Sequence, residues 1–385
     1  MGALRLEPAR VQAWASRSAS AVWSAFDIQL VLYALSLAVI GLLVAYVNSP
    51  SGNALAAGTT LTRGLVWLAL AIIAFIVAAS FDYRWLKSFA WPLYLVNIGL
   101  LVLSMAVGTG GGGTSRWVVI LGFQFQFSEL CKILMIVVMG NWLASRQGRM
   151  ASLGTIVGAI LLVAPPMVLV LLQPDLGTSL VFVAILAGTL FLAGASLRWM
   201  GALGAAVLAV LPFVWAYVLR DYQKQRLLSF LDPSADPLGS GYHLLQSQLA
   251  VTSGGLFGQG PSATSNQLTA TDLPVQSTDF AFAVLAQALG FVGALVVLGL
   301  FVALLWRILR VGWRSDDPFG LVFAAGLASM IVFQMLVNIG MIIGLMPITG
   351  IPLPFITHGG ASIVCIGLGL GILESINLRQ AKPKW

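Results

Sequence analysis

Asp279 stands directly before a long apolar run, in "STDFAFAVLAQALG", and no further charge follows until Arg307. A carboxylate in that setting has two readings. Coming after Ser277 and Thr278, it caps a helix by accepting from the free backbone N–H groups of the first turn. Alternatively it is an ionisable group at membrane depth, costly to keep there and therefore tied to function. Spacing alone leaves both open. Glu129 and Lys132 lie three apart at the start of another apolar run, so they share a helix face and can pair, as structural glue or as part of a site. Asp175, in "QPDLGTSL" beside Gln173, is either a cap or a functional acid. Arg116, Arg220, Lys224 and Arg226 flank these acids. Such a mixture suits an anionic substrate, for example a lipid diphosphate, and equally suits surface electrostatics.

Other motifs point to less. Gly108–Gly113 lacks the Gly-Lys-Ser/Thr of a phosphate loop and no strand precedes it, so it reads as a lid or linker. "TSGGLFGQG" is glycine-rich but has no strand–loop–helix context. His243 and His358 are far apart with no Cys/His cluster, which argues against zinc. The G-x-S-x-G nucleophile pattern does not occur. Asp316 and Asp317 read as a solvated turn before Pro318, and Glu7, Asp27, Asp82 and Glu374 as acids at span ends.

The elements that must position these residues are membrane spans. Of 385 residues, 59% are hydrophobic and 9% charged, against roughly a quarter charged in a soluble chain. Apolar runs long enough to cross a bilayer predict ten spans, near 28–47, 64–80, 88–107, 128–144, 153–172, 179–195, 200–219, 279–306, 319–345 and 354–376. The expected fold is an all-α polytopic membrane protein, a single domain over 1–385. Even parity puts both termini on one side, which carries fourteen Lys and Arg residues against five on the other. The positive-inside rule makes that side, with the arm 1–27, cytoplasmic. The net charge of +7 is then a topology signal and not a nucleic-acid footprint. Ile28–Val47 is too long for a signal-peptide core and is expected to remain as an anchor. Cys131 and Cys365 fall inside apolar runs and read as buried thiols. Two connections are long, the one around Gly108–Glu129 and the loop 220–278, and both fall on the outer side. The helix-breaking pieces "APPM" and "PITGIPLPF" do not correspond between the halves, which weakens an inverted-repeat transporter reading.

Five blocks in order, "GGGTSRWVVILGFQFQFSELCKI", "LLQPDLGTSL", "DYQKQRLLSFLDPSADPLGSGYHLLQSQLAVTSGGLFGQG", "DLPVQSTDFAFAVLAQALGFVG" and "NIGMIIGLMPITGIPLPFITHGGAS", resemble the hallmark blocks of the SEDS proteins. These are the RodA and FtsW cell-wall polymerases and their sporulation relatives, and the resemblance covers essentially the whole chain. It implies polymerisation of lipid II into glycan strands at the outer face of the bacterial plasma membrane, beside a class B penicillin-binding protein. The family's essential acid matches Asp279, its Glu-x-x-Lys matches Glu129 and Lys132, its Arg-Trp matches Arg116 and Trp117, and its Gln-Pro-Asp ends on Asp175. The chemistry so implied needs a base for a sugar hydroxyl, the role of Asp279. It also needs cations for a lipid-diphosphate leaving group, with Lys132, Arg116, Arg220 and Arg226 as candidates. A divalent cation, Mg2+ or Mn2+, is admitted by that chemistry, although no metal-specific spacing occurs. A lipid II flippase and a non-catalytic scaffold are the rival readings.

The chain departs from the family pattern where it matters. Gln287 and Ala288 replace two glutamates, Phe127 replaces a proline before Ser128-Glu129, and Thr357-His358 precede Gly359-Gly360 where the family has a serine motif.

Overall fold

A computed structural model describes residues 26–47, 54–108, 116–120, 123–219, 221–232, 240–261, 278–357 and 360–380. Lipid offers no hydrogen-bond partners, so apolar segments that cross it must satisfy their backbone internally, and helices dominate. In chain order the described elements are α1 (Ile28–Val47), α2 (Ala54–Ser80), α3 (Tyr83–Ser88), α4 (Ala90–Val107), β1 (Val118–Ile120), β2 (Phe123–Phe125), α5 (Phe127–Ala144), α6 (Leu153–Leu172), α7 (Leu176–Leu192), α8 (Leu197–Phe213), α9 (Asp221–Leu231), α10 (Ser240–Ser253), α11 (Ala281–Trp313), α12 (Pro318–Ile342) and α13 (Gly360–Gln380). Nine are long and apolar enough to cross a membrane, and the 17-residue α7 is the tenth apolar span. At 1.5 Å per residue α7 reaches roughly 25 Å, close to the thickness of the hydrocarbon core.

Three findings refine the sequence reading. The first concerns α6, which continues as one helix through Pro165 and Pro166, so "APPM" does not break the span. Pro166 has no N–H to give the carbonyl four residues back, Leu162 O, and the Tyr94 hydroxyl of α4 donates to that carbonyl instead at 3.0 Å. Next, the last span begins at Gly360, because the proline-rich 346–357 segment forms an irregular strap across the end of the bundle. The strap's Phe355 carbonyl lies against Gly41 of α1, where a side chain would collide with it. Finally, the connection after α4 holds a small antiparallel hairpin that pairs Val118 with Phe125 and Ile120 with Phe123.

"GGLFGQG" has a role that periodicity does not show. The helix α11 is broken at Gly290, which adopts φ +70° and ψ −169°. That break frees backbone groups at membrane depth, and residues 255–260 supply the missing partners. Gln259 N and Gly260 N donate to Gln287 O and Ala288 O at 3.0 and 3.1 Å. Phe291 N and Val292 N donate to Gly255 O and Leu256 O at 2.9 and 3.1 Å. Backbone must approach backbone here, so Gly254 and Gly258 face the carbonyls of Ala286 and Ala288 with no room for Cβ. The unusual Gln287 and Ala288 are therefore buried residues of a helix break, tied through their main chain.

The opposite end of the bundle is closed by paired charges. Arg307 grips Asp27 with Nη2–Oδ2 at 2.6 Å, Lys87 meets Asp317 at 3.1 Å and Arg379 meets Asp82 at 3.4 Å. Asp27 N also donates to Glu374 Oε1 at 3.0 Å, fastening α1 to α13.

Candidate active site at the strap

Asp279 lies in a single 3-10 turn, Thr278–Phe280, and is partly exposed. The cap position of α11 belongs to Phe280, which makes no side-chain cap bond, so Asp279 is not that helix's N-cap. The main chain of Asp279 is fixed from α12. The Asn338 amide, fully buried on α12, donates one N–H to Asp279 O at 2.9 Å and the other to Ile351 O of the strap at 2.8 Å. One amide thereby sets the acid-bearing turn against the strap. Gly350, beside Ile351, has φ +73°, a conformation that glycine adopts freely. A Cβ placed on Gly350 would lie 3.5 Å from Asp279 Oδ2 and 4.0 Å from Arg226 Nη1. Acid, arginine and a backbone without side chain thus converge on one point. Arg226 comes from α9, the first helix of the long loop, and is exposed. His243 of α10 packs on Phe280, with ring centroids 6.5 Å apart.

The second corner of the strap is built differently. Asp175 caps α7, its Oδ1 accepting from Thr178 N and its Oδ2 from Thr178 Oγ1, both at 3.0 Å. Gln126 Nε2 adds a third bond at 3.1 Å, and Arg116 Nη1 stands 3.9 Å away. Arg116 directs its other donors to main chain, Nε to Gln173 O at 2.9 Å and Nη2 to Pro174 O. Gln173 Nε2 in turn reaches Leu101 O and Ser104 Oγ of α4 at 3.0 and 2.9 Å. This corner meets the strap at Gly177, where a Cβ would sit 2.7 Å from Thr349 O.

Glu129 and Lys132 form the expected pair, Nζ–Oε1 2.7 Å, on the first turns of α5. Their side chains are only 6% and 1% exposed, so the ammonium is committed to its partner inside the bundle. Of the candidate cations, the structure thus sets Arg226 beside Asp279, uses Arg116 to knit the Asp175 corner and buries Lys132. Arg220 lies outside the described residues, as do Asp236 and Asp272. Sequence reasoning missed Asn338 and Gly350. Asn338 carried a usable signal, because it is an amide inside the apolar run "MLVNIGMII".

Among the described residues no three His, Cys, Asp or Glu side chains group to hold a metal. One partly exposed carboxylate suits the open mode of Mg2+, which takes one or two protein carboxylates and completes its shell with water and substrate phosphate oxygens.

Ten apolar spans around a strap that gathers an acid and an arginine define a polytopic membrane protein with its polar site at one end of the bundle. The family profile FTSW_RODA_SPOVE, described as "Cell cycle protein", matches residues 28–382, and the chain belongs to that family. It is 38% identical over 319 residues to the peptidoglycan glycosyltransferase MrdB of Escherichia coli (strain K12), covering 83% of this chain and 85% of that one. It is 34% identical to stage V sporulation protein E of Bacillus subtilis (strain 168), over 91% and 96% of the two chains. Among solved structures it is similar to a chain from work titled "Structural coordination of polymerization and crosslinking by a peptidoglycan synthase complex", with TM-score 0.78, 30% identity and 92% and 98% coverage. It is similar as well to the rod shape determining protein RodA of Thermus thermophilus, with TM-score 0.70, 27% identity and 94% and 99% coverage.

Proposed function

We infer that this protein is a peptidoglycan glycosyltransferase that polymerises lipid II at the outer face of the bacterial plasma membrane. The observation that carries the mechanism is the placing of Asp279, with its main chain pinned by Asn338 and its carboxylate beside Gly350 and Arg226. The acceptor is a sugar 4-hydroxyl, which becomes a competent nucleophile as its proton is taken. Asp279 takes that proton as general base. The C–O bond to the anomeric carbon forms as the bond to the undecaprenyl diphosphate breaks, in one inverting displacement, and Arg226 meets the charge that develops on the leaving group. A divalent cation, Mg2+ or Mn2+, would be held by Asp279 with the substrate's phosphate oxygens and would supply further charge neutralisation. In this orientation both termini and the Lys87–Asp317, Arg307–Asp27 and Arg379–Asp82 pairs face the cytoplasm, in line with the excess of inner Lys and Arg. A class B penicillin-binding protein is the expected partner, supported by the likeness to a chain of a peptidoglycan synthase complex. Membrane lipids surround the bundle, and nothing in the charge pattern calls for nucleic acid.

The test is glycan synthesis from purified lipid II, with Mg2+ or Mn2+ and with or without the cognate penicillin-binding protein, resolved on a gel. Wild type makes polymer, and Asp279→Ala lowers the rate by roughly 10^2- to 10^4-fold while melting at the wild-type temperature. Equal polymer from both removes Asp279 as the base. A folded wild type that makes no polymer yet moves lipid II across vesicles is a flippase. One that only raises the partner's cross-linking is a scaffold.

A further inference from the structure

The end of the bundle opposite Asp279 carries a cleft that the polymerase reaction does not use. Two cavities adjoin there and share Ser145 and Arg146. One, of about 160 Å3, is lined on its inner side by Trp91, Val138 and Trp142. The other, of about 560 Å3, opens to solvent between Arg146 and Arg149. The cleft is therefore amphipathic along its length, with indole and aliphatic walls at one end and two arginines at the other.

Its parts are fixed by local structure. Trp91 opens α4 and meets Trp142 near the end of α5 edge to face, with ring centroids 6.2 Å apart. The Arg146 guanidinium lies 3.3 Å from the centre of the Trp142 ring. Its Nη1 donates to Trp142 O and to Ser145 Oγ, both at 3.1 Å. This stacking holds the planar group still, and no Nε or Nη2 bond is described, so those donors are available to a ligand. Arg149 follows on the exposed turn after α5, and no acid occurs between Arg146 and Ser152. At the same end Lys87, Arg307 and Arg379 each meet a carboxylate. Arg146 and Arg149, like Arg310 and Arg314, have no described acid partner, but only Arg146 and Arg149 line this cleft beside the two tryptophans. A pinned Arg146 and an exposed Arg149, neither with a described acid partner, next to interfacial tryptophans match a phosphodiester headgroup that continues into acyl chains.

We propose that the Trp91–Trp142–Arg146–Arg149 cleft binds one anionic glycerophospholipid of the adjoining leaflet. Its phosphate sits between Arg146 and Arg149 with Ser145, and its glycerol and upper acyl carbons lie against Trp91, Trp142 and Val138. The bound lipid joins α4, α5 and the turn into α6 on the face away from the reaction.

Native mass spectrometry of the delipidated full-length protein, titrated with dioleoylphosphatidylglycerol or dioleoylphosphatidylcholine, tests this. The first equivalent of the anionic lipid is expected to bind about tenfold or more tightly than the zwitterionic one. Arg146→Gln with Arg149→Gln weakens it by roughly 30-fold, the combined share of two surface arginines, and Arg149→Gln alone, on an exposed turn, by about fivefold. The control pair Arg310→Gln and Arg314→Gln, at the same end of the bundle, changes it by less than about threefold. Equal losses in both double variants would show diffuse surface attraction and overturn the proposal. Equal affinity for the two lipids would do the same. Full displacement by glycerol phosphate at matching concentration would reassign the cleft to a free phosphate compound.

Discussion

The two corners of the strap each hold an aspartate, and the bonds described at the two differ. At Asp175 the carboxylate itself is consumed by structure, through Thr178 N, Thr178 Oγ1 and Gln126, with Arg116 beside it. At Asp279 the main chain takes the structural bond, through Asn338, and the carboxylate stands partly exposed at the point shared by Gly350 and Arg226. An acid that anchors a fold must spend its lone pairs on the fold. The acid proposed to do chemistry is held through its main chain as well. The Glu129–Lys132 pair resembles the first kind, since both charges are buried and bonded to each other.

This contrast can be broken experimentally. The largest effect on folding is expected at the buried pair. Lys132→Met alone strands the Glu129 carboxylate and should cost about 3–5 kcal/mol in a detergent unfolding series, while adding Glu129→Leu restores most of it. If the double variant instead polymerises nothing despite wild-type stability, the pair belongs to the reaction and the division between corners fails. Next comes Asp175→Ala, which removes a cap and leaves Gln126 and Arg116 short of an acceptor. A loss of about 2 kcal/mol is expected, with activity per folded molecule nearly unchanged.

Asn338→Leu should show the reverse pattern. Its stability cost is about 1–3 kcal/mol, for two buried carbonyls left unbonded, and polymer synthesis should fall more steeply than folding does. Comparing kcat with KM tells the cases apart, because a misplaced base lowers kcat while KM stays put. The smallest effect is that of Gly350→Ala, about 1–2 kcal/mol of backbone strain at positive φ, with a methyl group set against Asp279 Oδ2. A fully active Gly350→Ala enzyme would mean that the space there is not needed by substrate.

Much of this was legible in the chain. Ten apolar runs gave the spans because lipid permits few other structures, and the Glu129–Lys132 spacing gave a pair because residues three apart on a helix face each other. The capping reading held for Asp175 and not for Asp279, although both precede apolar runs. That difference depends on where a turn ends, by a single residue, and element boundaries are set by tertiary packing. Arg116 and Arg226 look alike in sequence, and only the fold shows Arg116 bonded to main-chain carbonyls and Arg226 near Asp279. The function of "GGLFGQG" was invisible because its partner, the break at Gly290, lies some thirty residues away along the chain.

That break also bears on how the protein sits in its bilayer. An unbroken α11 of 33 residues would be a rod of roughly 50 Å, well beyond a hydrocarbon core of about 30 Å. A helix longer than the core tilts, kinks or extends past the interface, and here Arg307 and the turns after it reach the charged end of the bundle. The joint at Gly290 is clamped on both sides, with Phe291 N and Val292 N bonded to Gly255 O and Leu256 O and Gln287 O and Ala288 O bonded to Gln259 N and Gly260 N. The short piece before it, Ala281–Leu289, follows directly on the turn whose Asp279 carbonyl is bonded to Asn338. Glycine-rich residues 254–260 thus brace the acid-bearing helix from the long loop, as Asn338 and the strap brace its turn from the other side.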